Sequence, residues 1–267
     1  MSSVVTPMPS SRFAFLDHEG PIAFAHRGGA LEGPENTWEA FGHARDLGYR
    51  YMETDVHATR DGVVVAFHDA DLDRMTGRPG LLRDMSWAEL SRVELKGGSR
   101  VPRLDELLAA WPEVRWNIDV KHDHAVGPLI ETLHRGAARE RVCIASFSDR
   151  RLATVGRALG TGACLAVGPI GITALRVARF LPSVVPRAAE KRLRSSGAVQ
   201  VPIRQGRIPL VDGRFIDTAH RLGLQVHVWT VDDEATMDRL LGLGVDGIMT
   251  DRPSALREVL SRRGPRL

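Results

Sequence analysis

Cysteine is nearly absent from this 267-residue chain: Cys143 and Cys164 are the only two. Both sit in apolar runs, so they read as buried free thiols in a reducing compartment and not as a disulfide scaffold. Lysine is almost as scarce, with only Lys96, Lys121 and Lys191. The net charge is +3, too small for a nucleic-acid footprint. Long apolar runs are missing. No window approaches the ~18 uninterrupted apolar residues of a spanning helix, and the nearest, residues 162–186, is broken by Arg176, Arg179 and prolines. Residues 1–20 lack a basic start followed by an apolar stretch, so no targeting segment and a cytoplasmic location are expected.

What the chain does have is alternation. Ile22–Ala25 and Tyr51–Val56 read as strands, separated by a helical pattern over 36–47 with Asn36 at its N-cap and Gly48 at its stop. Val63–Phe67 follows a turn signal and reads as a hairpin extension of the second strand. Residues 69–102 break the rhythm, with one short helix expected near Trp87–Val93. Strands are then expected at 115–120, 142–147, 162–167, 198–203, 225–231 and 245–250, each followed by a helix. Eight strand–helix units in one chain of this length point to a closed parallel (β/α)8 barrel of the TIM type. A small insertion, about 69–102, follows the second strand. The barrel domain is expected over 21–267, after a loose, polar lead-in at 1–20.

Chemistry in such a barrel collects at the carboxyl ends of the strands. There the sequence places His26 and Arg27, Glu53 and Asp55, His68, and Asn117, Asp119 and Lys121. Glu53 and Asp55 are two apart and share a strand face, as do Asn117, Asp119 and Lys121. Three crowded carboxylates repel unless something neutralises them. An oxygen-only set suits one hard divalent cation, Mg2+ or Ca2+. His26 and His68 are the candidate acid and base, because imidazole titrates near neutrality. Arg27 offers a planar fork for phosphate oxygens or for Glu35. Lys121 has the same two options, phosphate or a nearby carboxylate. Trp229 and Phe147 end late strands, where they line a mouth or simply pack.

The run Ala25-His26-Arg27-Gly28, followed by Pro34-Glu35-Asn36-Thr37, resembles the opening of the glycerophosphodiester phosphodiesterase family. So do Met52-Glu53-Thr54-Asp55-Val56, Thr59-Arg60-Asp61-Gly62 through Phe67-His68-Asp69, and Asp73-Arg74-Met75-Thr76-Gly77. Val101–Leu107, Asn117-Ile118-Asp119-Val120-Lys121, Ser146-Phe147, Val228–Asp232 and Gly247–Pro253 extend the resemblance over roughly residues 22–260. It implies a (β/α)8 barrel with a small insertion, and cleavage of glycerophosphodiesters to glycerol 3-phosphate and an alcohol. It implies His26 and His68 as the acid/base pair, with Glu53 and Asp55 as metal ligands. Arg27 and Lys121 then contact the phosphate, and Trp229 lines the substrate mouth. The family's third ligand is usually Glu. Here it is Asp119, shorter by one methylene and by about 1.5 Å at most.

The basic stretch 174–197 carries Arg176, Arg179, Arg187, Lys191, Arg192 and Arg194 against Glu190. It is expected either to pack on the barrel or to rest peripherally on an anionic membrane. The second case brings a lysophospholipase D activity into view, with a lysophospholipid as the small-molecule substrate. A barrel that binds phosphodiesters without cleaving them is the remaining alternative, and two His beside the phosphate argue against it.

Overall fold

A computed structural model describes residues 12–178, 190 and 193–264. Eight strands run parallel around a ring: β1 (Ile22–His26), β2 (Tyr51–Ala58), β4 (Arg115–Val120), β5 (Val142–Ala145), β6 (Cys164–Leu165), β7 (Ala198–Pro202), β10 (Gln225–Trp229) and β11 (Gly247–Thr250). Their spatial order is β6-β5-β4-β2-β1-β11-β10-β7. The ring closes between β6 and β7 through one bridge, Ala166 to Ala198. Val167 N donates to Ala198 O at 2.8 Å and Gly197 N to Leu165 O at 2.9 Å across that seam. β3 (Val64–Ala66) folds back antiparallel on β2, as the turn signal predicts.

The period-two alternation of the strands builds two separate cores. Outward residues such as Met52, Val56, Trp116, Ile118, Ile144 and Val226 pack against Phe41, Leu107, Leu129, Phe215 and Leu256 of the surrounding helices. Fully burying each such side chain stabilises the fold by roughly 1.5–3 kcal/mol. Inward residues near the strand starts, Ile22, Phe24, Tyr51, Cys143, Cys164 and Ala198, form the second core. Phe13, Phe15 and Leu16 seal it from below. This corrects the expectation of a loose lead-in: three apolar side chains in a polar segment suffice to tuck residues 13–16 under the barrel. Tyr51 Oη donates to Phe15 O at 2.9 Å and holds the plug there.

The insertion has a third core of its own, made by Val65, Phe67, Leu72, Leu82, Leu90, Leu95 and Val101. It carries the expected helix, shortened to Trp87–Leu90, and another single turn at Asp73–Thr76. Other expectations shift by a few residues. The first long helix is Trp38–Asp46, and its N-cap is Thr37, whose Oγ1 accepts from Ala40 N. Asn36 is drawn elsewhere, as described below. A two-strand hairpin, β8 (Arg204–Gln205) with β9 (Ile208–Pro209), follows β7 and has no apolar period that would announce it. Of the basic stretch 174–197, residues 179–189, 191 and 192 lie outside the described residues. Among the described residues no helix is long and apolar enough to cross a membrane.

Candidate active site

The inward alternation that fills the barrel floor with apolar side chains delivers polar ones at its carboxyl end. His26 ends β1, Glu53 and Asp55 share the inward face of β2, Asn117 and Asp119 that of β4, and Lys121 directly follows β4. Together with Arg27, His68, Phe147 and Trp229 they line one cavity of about 170 Å³. The nine residues given a role from the sequence, and Asn117 with them, therefore line one cavity. The cavity is two-sided. β1, β2 and β4 supply the charged half, while Ala145, Ala166, Val167, Pro169, Ile172 and Met249 make the other half apolar.

Arg27 reaches this place through an unusual backbone. Arg27, Gly28 and Gly29 all have positive φ, at 53°, 82° and 104°. A side chain on Gly28 would lie 2.8 Å from Ala40, and one on Gly29 2.7 Å from Pro253, so neither position tolerates a Cβ. The turn aims the Arg27 guanidinium at Asp55 Oδ2, 3.1 Å from Nε. The contact is an ion pair without hydrogen-bond alignment. Arg27 Nη1 also donates to Glu35 at 3.2 Å, the carboxylate partner read from the sequence, while the residue lines the cavity.

The carboxylates differ in their neighbours. Lys121 Nζ lies 2.7 Å from both Asp55 Oδ1 and Asp119 Oδ2. Burial raises Asp55, but the Lys121 and Arg27 charges outweigh it and its pKa ends below the usual range. Asp119 ends above it, because burial exceeds the pull of Lys121. Burial, and then the Asp55 charge, push Glu53 up to about 7. The Arg27 amide donates to Glu53 Oε2 at 3.2 Å.

Each histidine has a carboxylate behind it. His26 Nδ1 donates to Asp251 Oδ1 at 2.6 Å, and His68 Nδ1 to Asp69 Oδ1 at 2.7 Å. A carboxylate only accepts, so the proton sits on Nδ1 and leaves each Nε2 for chemistry. The His26 Nε2 stands 3.7 Å from Glu53 Oε2. Burial pulls the His26 imidazole down, yet the Glu53 charge and the Asp251 hydrogen bond win and its pKa rises. Asp69 is held in turn by Arg74 Nε at 2.6 Å, and Arg74 Nη2 reaches Glu35 Oε1 at 2.6 Å.

Several contributors were not singled out from sequence. Asp251 leaves β11, which pairs with β1 in register Ala25 to Thr250. Ring closure alone predicts that adjacency. Asn36 Nδ2 donates to Asp55 Oδ2 at 3.3 Å while Thr54 Oγ1 donates to Asn36 Oδ1 at 2.8 Å. Gln200 Nε2 donates to Asn117 Oδ1 at 2.7 Å across the barrel. His57, which alternates with Thr54 and Val56, points inward and shares a 3.0 Å hydrogen bond between Nε2 and the His68 carbonyl.

The donor chemistry suits a hard cation. Glu53, Asp55 and Asp119 offer only oxygens, and Asp119 Oδ1 is buried without a hydrogen-bond partner. With Lys121 lodged between Asp55 and Asp119, no three such groups among the described residues already form a cluster ready to hold a metal.

Comparison with known proteins places the chain in a family. Residues 26–255 match the sequence profile of the "Glycerophosphoryl diester phosphodiesterase family". The chain is 41% identical over 252 residues to a "Probable glycerophosphodiester phosphodiesterase 2" of Mycobacterium tuberculosis, covering 94% of each chain. It is 31% identical to "Lysophospholipase D GDPD1" of Rattus norvegicus, covering 89% of this chain and 85% of that one. The fold superposes at a TM-score of 0.75 and 22% identity on an Oleispira antarctica phosphodiesterase in complex with its product sn-glycerol-3-phosphate, covering 91% and 97% of the two chains.

Proposed function

The chain belongs to the glycerophosphoryl diester phosphodiesterase family, and from that premise we propose that it hydrolyses glycerophosphodiesters to glycerol 3-phosphate and an alcohol. The observation that carries the reading is the pair of imidazoles, each with Nδ1 on a carboxylate and Nε2 free, lining the same charged cavity. One neutral imidazole takes the proton of the attacking oxygen on Nε2, and the other, as an imidazolium carrying a second proton on Nε2, protonates the departing alcohol oxygen. The P–O bond to the alcohol breaks as the new P–O bond forms. The attacker is the adjacent glycerol hydroxyl, which is already oriented within the substrate. Water then opens the resulting cyclic phosphate with the two histidines in exchanged roles. Arg27 and Lys121 face the phosphate oxygens and stabilise charge developing there. Mg2+ or Ca2+ would be held by Glu53, Asp55 and Asp119 and would supply Lewis-acid polarisation of the phosphoryl group. Trp229 and Phe147, edge to face at 6.1 Å, flank the mouth where the alcohol leaves.

A second substrate class is favoured by the apolar half of the cavity. Ala166, Val167, Pro169 and Ile172 offer no hydrogen bond to a polar head group but suit an acyl chain, and a lysophospholipid has both parts. This reading is lysophospholipase D with the same catalytic groups, the activity named for the Rattus norvegicus relative. A barrel that only binds phosphodiesters leaves the two carboxylate-backed imidazoles without a purpose.

Phosphorus-31 NMR of the protein with glycerophosphocholine, and separately with lysophosphatidylcholine, tests both. Each substrate is run with Mg2+, Ca2+ or chelator. Glycerol 3-phosphate formed only with an ion supports the main reading, and a transient cyclic phosphate supports the internal attacker. Lysophosphatidic acid from the lipid alone moves the second reading to first. No product under any condition overturns both.

A further inference from the structure

Exposed large apolar side chains are not scattered over this protein. Among the described residues, Leu31, Leu81, Phe147, Ile170, Val177 and Ile208 all lie on connections that follow the carboxyl ends of barrel strands, Val177 near the far end of helix Pro169–Ala178. Leu243, at the end of helix Glu234–Leu243, is the one at the opposite end. The exposures are large: 65% for Leu31, 69% for Phe147, 55% for Ile170 and 53% for Ile208. Ile170 and Ile208 sit on two neighbouring connections, after β6 and β7, and exposed apolar residues grouped in this way mark an interaction surface, whereas isolated ones need no explanation.

The charge around the cluster says what the surface meets. Helix Pro169–Ala178 and the hairpin at 203–210 contain Arg176, Arg204 and Arg207 and no acidic residue of their own, and the one carboxylate bonded to the helix start, Asp149, accepts from Ile170 N at 3.1 Å. Arg176 Nη1 donates to Gln205 Oε1 at 2.7 Å, which fastens the helix to the hairpin and makes one rim of the two. Arg204 and Arg207 are exposed and make no ion pair among the described residues. This rim is also the lip of the cavity: Phe147 and Pro169 line it, and Ile170 is the next residue outward.

We propose that the rim made by helix Pro169–Ala178 and the 203–210 hairpin seats on an anionic lipid bilayer, with Ile170 and Ile208 in the headgroup boundary and Arg176, Arg204 and Arg207 against lipid phosphates. Apolar side chains at an interface enter about 5–10 Å, and surface arginines add electrostatic attraction to anionic lipid. The cavity then opens directly onto the bilayer surface, so an amphiphilic phosphodiester reaches Arg27 without crossing water. The consequence for substrate supply rests on the hydrolase reading, while the docking itself does not.

Vesicle flotation of the full chain tests the docking, using phosphatidylcholine vesicles with and without phosphatidylserine. The wild type is expected to float with the anionic vesicles and to be released by high salt. Arg204→Glu with Arg207→Glu should weaken binding about twentyfold or more, at roughly fivefold for each lost arginine and further repulsion. Ile170→Ser with Ile208→Ser should weaken it about tenfold, and Leu243→Ser should change it less than twofold. All variants should keep the wild-type melting temperature and turnover of water-soluble glycerophosphocholine. No flotation at any anionic content overturns the proposal, as does equal loss in Leu243→Ser. Flotation without turnover of any substrate leaves the rim in place and sinks the hydrolase reading instead.

Discussion

His26 and His68 line the same cavity but are held by different kinds of structure. His26 ends a barrel strand, and its partner Asp251 lies 225 residues away, brought alongside by the β1–β11 ladder. His68 is bonded to the residue next to it, Asp69, and that pair is steadied from the insertion by Arg74. Arg74 sits on a single turn, Asp73–Thr76, that buries none of its residues. Side-chain exposure follows the same division, 13% for His26 and 32% for His68. A ladder of parallel strands fixes one imidazole, and a chain of ion pairs fixes the other. The second arrangement is easier to move and easier to lose.

The comparison can be broken in order of effect. His26→Ala and His68→Ala should each lower kcat by about 10³-fold, with thermal unfolding unchanged. Steady-state turnover of glycerophosphocholine reads this, and a variant keeping a tenth of the activity would remove that histidine from the chemistry. The frame that carries His26 has its own sensitivity to acid. His227 is fully buried beneath Gln200, its Nε2 donating to Gln225 Oε1 at 3.1 Å, and burial lowers its pKa to about 4. The unfolded chain binds the proton from pH 6.5 downward and the folded chain does not. Stability from this group is therefore complete above pH 6.5 and is lost as pH falls toward 4, by roughly 3 kcal/mol in all. Urea unfolding at pH 7 and pH 4.5 should show a smaller acid loss in His227→Gln than in wild type.

Smaller effects sharpen the contrast. Asp251→Asn should lower kcat about 10²-fold, because a buried imidazole loses the partner that sets its tautomer. Asp69→Asn should lower it only about tenfold, since the more exposed His68 can find water. Equal effects in the two would erase the distinction between frame and insertion. Smallest is Arg74→Ala, expected to reduce kcat about fivefold with little change in melting temperature. Arg74→Lys should not restore it, because Lys cannot grip Asp69 and Glu35 together. Full activity in Arg74→Ala would show that the insertion does not position His68.

The barrel was legible because its strands are short apolar runs ending in polar residues, repeated with helical patterns between them. Glu53, Asp55, Asp119 and Lys121 could be placed by counting in twos along a strand. Asp251 and Gln200 could not be placed so, because their partners, His26 and Asn117, lie on other strands and depend on how the ring closes. Arg74 was hidden differently: it is one arginine among many in a segment without regular period. Phe13, Phe15 and Leu16 were too few to register as an element, and their role appears only once there is a barrel floor for them to cover.

A ring needs a last joint, and here it is the slightest. β2 and β4 pair over six residues and β10 and β7 over five, while β6 meets β7 through a single bridge. Separating β6 from β7 sacrifices the fewest rungs of any opening in the wall, and it would leave a continuous ribbon of parallel strands whose two free borders are Leu165–Val167 and Gly197–Ala198. If the barrel breathes, it does so there, on the apolar side of the cavity and away from both histidines.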